Sequence, residues 1–586
     1  MPSESASPIH FRVAAPDPHS HRYHLTLTIA RPAARQAVSL PVWIPGSYLV
    51  REFARNLIGL RAEQGSKAVA IRQISKCEWQ IACKRGAALV LRYEIVASDR
   101  SVRTAWLDAT RGFFNATSLC LRVHGQEDGA HDIEVLRPAA CPDWQLATAL
   151  TPLKAARHGF GRYRAAHYDE LADCPMELGA FQSFPFTACG TAHRLVVSGA
   201  AASFDSARLL RDVRRICEEA IRFWSPDGQA PFERYTFLLN VVDDGYGGLE
   251  HRGSTALICG RRDLPRLGDA KPPEGYTTLL GLFSHEYFHA WNVKRMRPRE
   301  LARYDYTQEN YTGLLWFFEG FTSYYDDLLL RRAGLIDQTT YLKLLTKTIN
   351  QVLQTPGRQV QSVAQASFDA WTRYYRPDEN TPGTTVSYYT KGALVALCLD
   401  LALRRAGRCT LDGVMRALWT HSGGGSITEK DIRRVLRQCS GRGWDAELDA
   451  WVHGTGELPL AELLAATGVD CNNDSAQIAQ RLGLRVQEGA SVQIRIVLPG
   501  GAAERAGMMA GDEWLGVEVA SEGWRLKKLD DLPLYAMADG AMTALVARDA
   551  RLLRLPLVLP KADAVGGNVL LGVRDAGLAD AWLGKP

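Results

Sequence analysis

Residues 285–289 read His-Glu-Tyr-Phe-His, an H-E-x-x-H pattern. On a helix, positions i and i+4 project from one face, so His285 and His289 can turn a ring nitrogen toward one ion. Zinc suits them, because imidazole nitrogens fit a borderline-soft ion in a tetrahedral site. Glu286 stands on the same turn, within reach of a water at that ion, and is the candidate general base. The pentapeptide alone also fits two satisfied core histidines. Its surroundings favour ligands: residues 277–291 hold no proline and are apolar almost all round, which predicts a buried helix. Two His and a Glu inside such a helix are costly unless paired or metal-bound.

A catalytic zinc of this kind takes three protein ligands and keeps one position for water. Residues 314–330 form a second apolar run, predicted helical, with one acid in its middle, Glu319. Its neighbours Trp316, Phe317, Phe318 and Phe321 argue against a surface acid, and Glu319 is the candidate third ligand. Asp326 follows two turns along the same face, where it can accept a ring N–H from a ligating His. A solvated helix acid is the plainer reading of Asp326, and of Asp327 beside it.

H-E-x-x-H followed by Trp-Phe-Phe-Glu-Gly-Phe-Thr-Ser-Tyr (316–324) resembles the gluzincin metallopeptidases. Phe318 stands where their aminopeptidases have Asn, and the gap from His289 to Glu319 is longer than in their commonest branch. With Ala-Trp-Asn-Val-Lys-Arg-Met-Arg-Pro after His289, these departures resemble the glycyl aminopeptidase family, gluzincins that carry a PDZ domain. The resemblance implies a thermolysin-like, mainly helical catalytic domain. Gly-Gly-Leu-Glu-His (247–251) is similar to the family's G-A-M-E-N exopeptidase motif, an edge strand along the substrate. Glu250 then takes the place that holds the free α-amino group, and Gly247 and Gly248 let backbone approach the peptide. A cationic amine in a dry cleft needs such a carboxylate. His251 stands where the motif has Asn. Val-Ser-Tyr-Tyr-Thr-Lys-Gly-Ala (386–393) resembles the family's Y-x-K-G segment, which puts Tyr389 rather than Tyr388 on the phenol that stabilises the oxyanion.

The elements that must position these residues fall into three stretches. Residues 1–190 alternate in strand fashion, as in Tyr-His-Leu-Thr-Leu-Thr-Ile (23–29), and read as an all-β, sandwich-like domain. This stretch also contains Trp-Ile-Pro-Gly-Ser-Tyr (43–48), which looks typical of the family. Residues 191–470 are expected to form the catalytic domain. It opens with a helix from about Phe204 to Trp224 and a strand over 235–242 before the two motif helices. Residues 471–586 contain Leu-Pro-Gly-Gly-Ala-Ala-Glu-Arg-Ala-Gly-Met-Met-Ala-Gly-Asp-Glu-Trp-Leu (498–515). That segment resembles PDZ domains, with the loop for a peptide C-terminus near Leu482-Gly483-Leu484. The expected fold class is multidomain α+β.

At 586 residues the chain is too long for one core. A net charge of +5 over 69 basic and 64 acidic residues demands neither nucleic acid nor membrane. The basic cluster Lys294, Arg295, Arg297 and Arg299 reads as solvated surface or interdomain pairing. The 12 cysteines show no C-x-x-C pairs and read as reduced thiols. No signal peptide or membrane span is seen, so cytoplasm is the default. The expected function is removal of N-terminal residues from peptides, with one zinc per chain; the resemblance implies a small first residue, Gly or Ala. An endopeptidase with PDZ-guided substrates, and a PDZ-bearing binding protein with a vestigial metal site, are the alternatives.

Overall fold

A computed structural model describes residues 8–564 and 566–584. The chain divides into two compact units, Met1–Tyr311 with Leu418–Thr428, and Thr312–Ala417 with Glu429–Pro586. It has an N-terminal all-β domain, a helical middle region and C-terminal β-sheets.

In the first unit, the N-terminal domain is built on an eight-stranded sheet with two four-stranded sheets beside it. Its strands alternate as their sequences require. Arg22–Ile29 buries Tyr23, Leu25, Leu27 and Ile29 and turns the intervening residues outward. The core formed by Phe11, Leu27, Leu91, Phe113 and Leu178 continues without a break to Val196, Leu238, Leu249 and Ala256. Those four belong to a five-stranded sheet, which runs in the order Gln182–Ala188, Thr191–Ser198, Arg234–Val242, Ser254–Gly260, Gly247–Glu250. Arg234–Val242 lies at its centre, parallel to both neighbours. It is buried along nearly its whole length, as a run rich in β-branched and aromatic residues should be. Gly247–Glu250 is the edge strand, antiparallel to Ser254–Gly260.

Successive residues of a strand face opposite ways. Leu238 faces the N-terminal core, so Phe237 faces away from it. There Phe237 meets Phe283 and Tyr287 of helix Gly275–Phe288, with ring centroids 5.4 and 5.6 Å apart. The sheet is thus packed between the β domain and the His-Glu helix. That helix begins two residues earlier than its sequence suggests and ends at Phe288, with His289 as its C-cap.

In the second unit, the run 314–330 is not one helix. Leu315–Phe318 and Gly320–Arg332 meet at Glu319. Helix Thr390–Ala406 packs against them through two glycines. A Cβ on Gly320 would lie 2.5 Å from the Gly392 Cα, and one on Gly392 would lie 2.6 Å from the Trp316 carbonyl oxygen. Farther on, the ribbon Val469–Asp474 with Asn568–Val573 closes off the residues between its strands. These include the sheet Leu484–Glu488, Val492–Val497, Glu513–Val519, Ala541–Arg548 and Arg551–Val558, around Leu482, Ile494, Trp514 and Val546. After the ribbon, helix Ala576–Leu583 returns to the middle region, where Trp582 Nε1 donates to the Tyr324 hydroxyl at 3.2 Å. All 12 cysteines are free. No helix among the described residues is long and apolar enough to cross a membrane.

Candidate active site

His285 and Glu286 occupy the last turn of helix Gly275–Phe288, and the turn that follows fixes the ring of His289. His289 Nδ1 is 2.8 Å from the Asn292 carbonyl. A carbonyl only accepts, so Nδ1 holds the proton and Nε2 keeps its lone pair. The two Nε2 atoms of His285 and His289 stand 3.1 Å apart. Nitrogens at about 2.0–2.1 Å from a tetrahedral zinc are separated by roughly 3.3 Å, so these rings are spaced as ligands of one ion. His285 and His289 each offer one imidazole nitrogen, and Glu319, in the second unit, offers a buried carboxylate. Two imidazoles and a carboxylate are a zinc donor set, and the residues present fit that metal.

Glu319 and Tyr389 each stand beside the glycine structure that lets their helices touch. Glu319 precedes Gly320, and Tyr389 lies at the N-cap of Thr390–Ala406, one turn before Gly392. Burial pushes the Tyr389 phenol well above its ordinary value, and the Glu319 carboxylate is the next cause. The phenol therefore keeps its proton and acts as a hydrogen-bond donor. Its oxygen is 3.4 Å from the Tyr375 hydroxyl. Tyr388 is fully buried beside it, whereas Tyr389 is half-buried. Asp326, two turns past Glu319, is half-buried and accepts from the Asp327 N–H at 2.7 Å. The ring N–H of His289 goes to Asn292 instead of a carboxylate.

The edge strand brings Gly248 and Glu250 to the helix side of the sheet. A Cβ on Gly248 would lie 2.1 Å from Glu286 Oε1, so the strand backbone runs directly against the candidate base. The Glu250 side chain is buried, at 5% exposure, yet among the described residues it accepts no hydrogen bond and forms no ion pair. Above it lies the 43–48 loop. Gly46 has φ +95°, and a Cβ there would lie 2.5 Å from Glu250 Oε1, so only glycine fits. Gly247 sits beside Arg103, whose guanidinium donates to the Gly248 carbonyl at 3.1 Å.

Sequence reasoning missed Asn292, Gly46 and Asp173. Pro-Gly at 45–46 was the available signal for a left-handed turn, but its target is distant in the chain. Of the two roles expected for the basic cluster, solvated surface or interdomain pairing, the first fails for Lys294 and Arg297, which are buried. Lys294 pairs with Asp173 at 2.7 Å, and Arg297 donates to the Lys294 and Leu301 carbonyls.

Two family models match the chain: the M61 glycyl aminopeptidase over residues 278–395 and the peptidase M61 N-terminal domain over residues 10–180. An aminopeptidase N family protein from Idiomarina loihiensis is 35% identical, with 98% of this chain and 100% of that chain covered and a TM-score of 0.93. An M1 zinc metallopeptidase from Deinococcus radiodurans is 15% identical, with 77% of this chain and 94% of that chain covered and a TM-score of 0.47. No curated protein matches the chain.

Proposed function

The chain belongs to the M61 glycyl aminopeptidase family and is a metallo-aminopeptidase, and from that premise we propose that it uses one zinc ion to remove a small N-terminal residue, glycine or alanine, from peptides. His285, His289 and Glu319 are the proposed ligands, and Asp326 the acceptor for the ring N–H of His285. Held there, zinc polarises a scissile carbonyl and acidifies a water.

The chain's own groups account for the rest. Glu286 takes the proton of the attacking water and passes it to the leaving amine. Tyr389, still protonated, donates to the oxygen on which charge develops. The peptide lies along Gly247–Glu250, which is an open sheet edge, and the glycines admit its backbone. Glu250 holds the α-ammonium, so that one residue separates the amine from the bond that is cut. Gly46, packed on the Glu250 carboxylate, supports a small first residue, because the loop leaves little height above the anchor.

The Glu250 carboxylate carries the exopeptidase reading: buried, and without a donor among the described residues. A buried carboxylate costs several kcal/mol unless a cation meets it, and the substrate's ammonium is that cation. Amino-acid arylamides and N-blocked peptides separate the readings. Hydrolysis of the free amides alone, with about one zinc per chain, is the expected result; cleavage of blocked peptides would point to an endopeptidase.

At domain level we propose a β domain over 1–190, a thermolysin-like gluzincin domain over 191–470 and a PDZ-like domain over 471–586, whose last helix, Ala576–Leu583, packs back on the middle helices. For the last, support comes from strand Val492–Val497, short helix Ala502–Arg505 and strand Glu513–Val519 in succession. Gly483 is left-handed, with φ 73°, at the start of edge strand Leu484–Glu488, where a peptide C-terminus would dock.

A further inference from the structure

Asp173 caps the short helix Tyr168–Ala172, and its carboxylate gathers three donors. Oδ1 is 2.7 Å from the Lys294 ammonium and 3.3 Å from His251 Nδ1. Oδ2 accepts from the Arg252 N–H at 2.8 Å. His251 and Arg252 follow directly on Glu250, where the edge strand ends. Lys294 belongs to the turn behind His289. Its N–H donates to the His289 carbonyl at 3.0 Å, and in the same turn the Asn292 carbonyl holds His289 Nδ1.

That turn is strained. Val293 has φ 105°, a region that a β-branched residue avoids. Such a backbone persists only where its surroundings over-determine it. Val293 N–H donates to the Met296 carbonyl at 2.7 Å, and Arg297 donates to the Lys294 carbonyl. The buried Lys294 ammonium, fixed by Asp173, is a charged tie on this turn, beside the Arg295 guanidinium, which donates to the Ala290 and Arg252 carbonyls.

We propose that Asp173 is a positioning residue of the aminopeptidase site: through Lys294 on one side, and His251 and Arg252 on the other, it locks the turn that aims His289 and the strand end that aims Glu250 into one frame. The Glu250 half rests on the amine-holding role proposed above; the His289 half does not.

The test compares Asp173→Asn, Lys294→Met and the double variant, as full-length zinc-loaded protein. The readouts are KM and kcat on a glycyl arylamide, the chelator concentration that releases half the zinc, and the melting temperature. Asp173→Asn is expected to raise KM on the order of tenfold, with a smaller change in kcat, and to release zinc at lower chelator. The double variant leaves neither Asp173 nor Lys294 as an unpaired buried charge. It should regain most of its melting temperature yet keep both defects. A role in stability alone predicts that KM and zinc release recover together with melting. That recovery, or wild-type KM and zinc release in Asp173→Asn, overturns the proposal. Should Asp173→Asn fail to fold, the double variant decides by itself. Cleavage of N-blocked peptides by the wild type would remove the amine role of Glu250 alone, and zinc release would still judge the hold on His289.

Discussion

Gly248 and Gly46 show how small the tolerances are at single residues. Each has its missing Cβ position filled by a carboxylate, Glu286 for Gly248 and Glu250 for Gly46. A methyl group at Gly248 must displace Glu286, so Gly248→Ala is expected to lower kcat while zinc content stays at the wild-type level, as measured by metal analysis beside steady-state kinetics. Glu286→Gln removes the proposed base without moving backbone; kcat should fall by about 10²–10⁴-fold with zinc retained. Unchanged peptidase activity in that variant would sink the mechanism. Glu250→Gln takes away a buried charge partner of the substrate's ammonium. Losing one such partner costs roughly 2–5 kcal/mol, so kcat/KM for free amino-acid arylamides should drop by about 30-fold or more.

At the scale of elements, helices Gly320–Arg332 and Thr390–Ala406 approach through Gly320 and Gly392, whose neighbours Glu319 and Tyr389 are proposed to act together. The Glu-Gly pair of one motif and the Tyr-Thr-Lys-Gly run of the other thus join a proposed functional side chain to a close helix contact. A valine at Gly392 must push against the Trp316 carbonyl. Overpacking of this kind costs about 1–3 kcal/mol, so Gly392→Val should lower the urea midpoint by a corresponding amount and reduce kcat as well. Helix and strand existence was legible wherever periodicity was strong. Arg22–Ile29, Arg234–Val242 and Ser206–Trp224 match the runs read from sequence. The break at Glu319 was not legible, because an apolar run flanked by aromatics has the same pattern whether its helix is continuous or interrupted. The close of the His-Glu helix at Phe288 was also hidden, since the Asn292 carbonyl that holds His289 belongs to a turn with no glycine to announce it.

For the whole molecule, the return of the chain end matters most. Trp582 is buried, bonds to Tyr324 and lies 6.0 Å from the ring of Tyr341, so the last helix belongs with the middle helices by packing. Trp582→Ala is expected to cost about 3–5 kcal/mol by denaturant titration, although it is far from both motifs in the chain. A stability unchanged by that substitution would show that the last helix is an appendage.

The sequence alone determined the kinds of group proposed to do chemistry: two imidazoles four residues apart with a carboxylate between them, an acid in an apolar run, and a glycine-rich strand ending in Glu250. These are local patterns, and local spacing on a helix or strand fixes which side chains share a face. Tertiary structure alone decided what meets them. Gly46 reaches Glu250, Asp173 joins Glu250's strand to the turn behind His289, and Lys294, for which the sequence leaves solvated surface and interdomain pairing both open, is buried as the partner of Asp173. Contacts between distant segments leave no periodic trace in either one, because each residue's type is compatible with many partners and only packing selects among them.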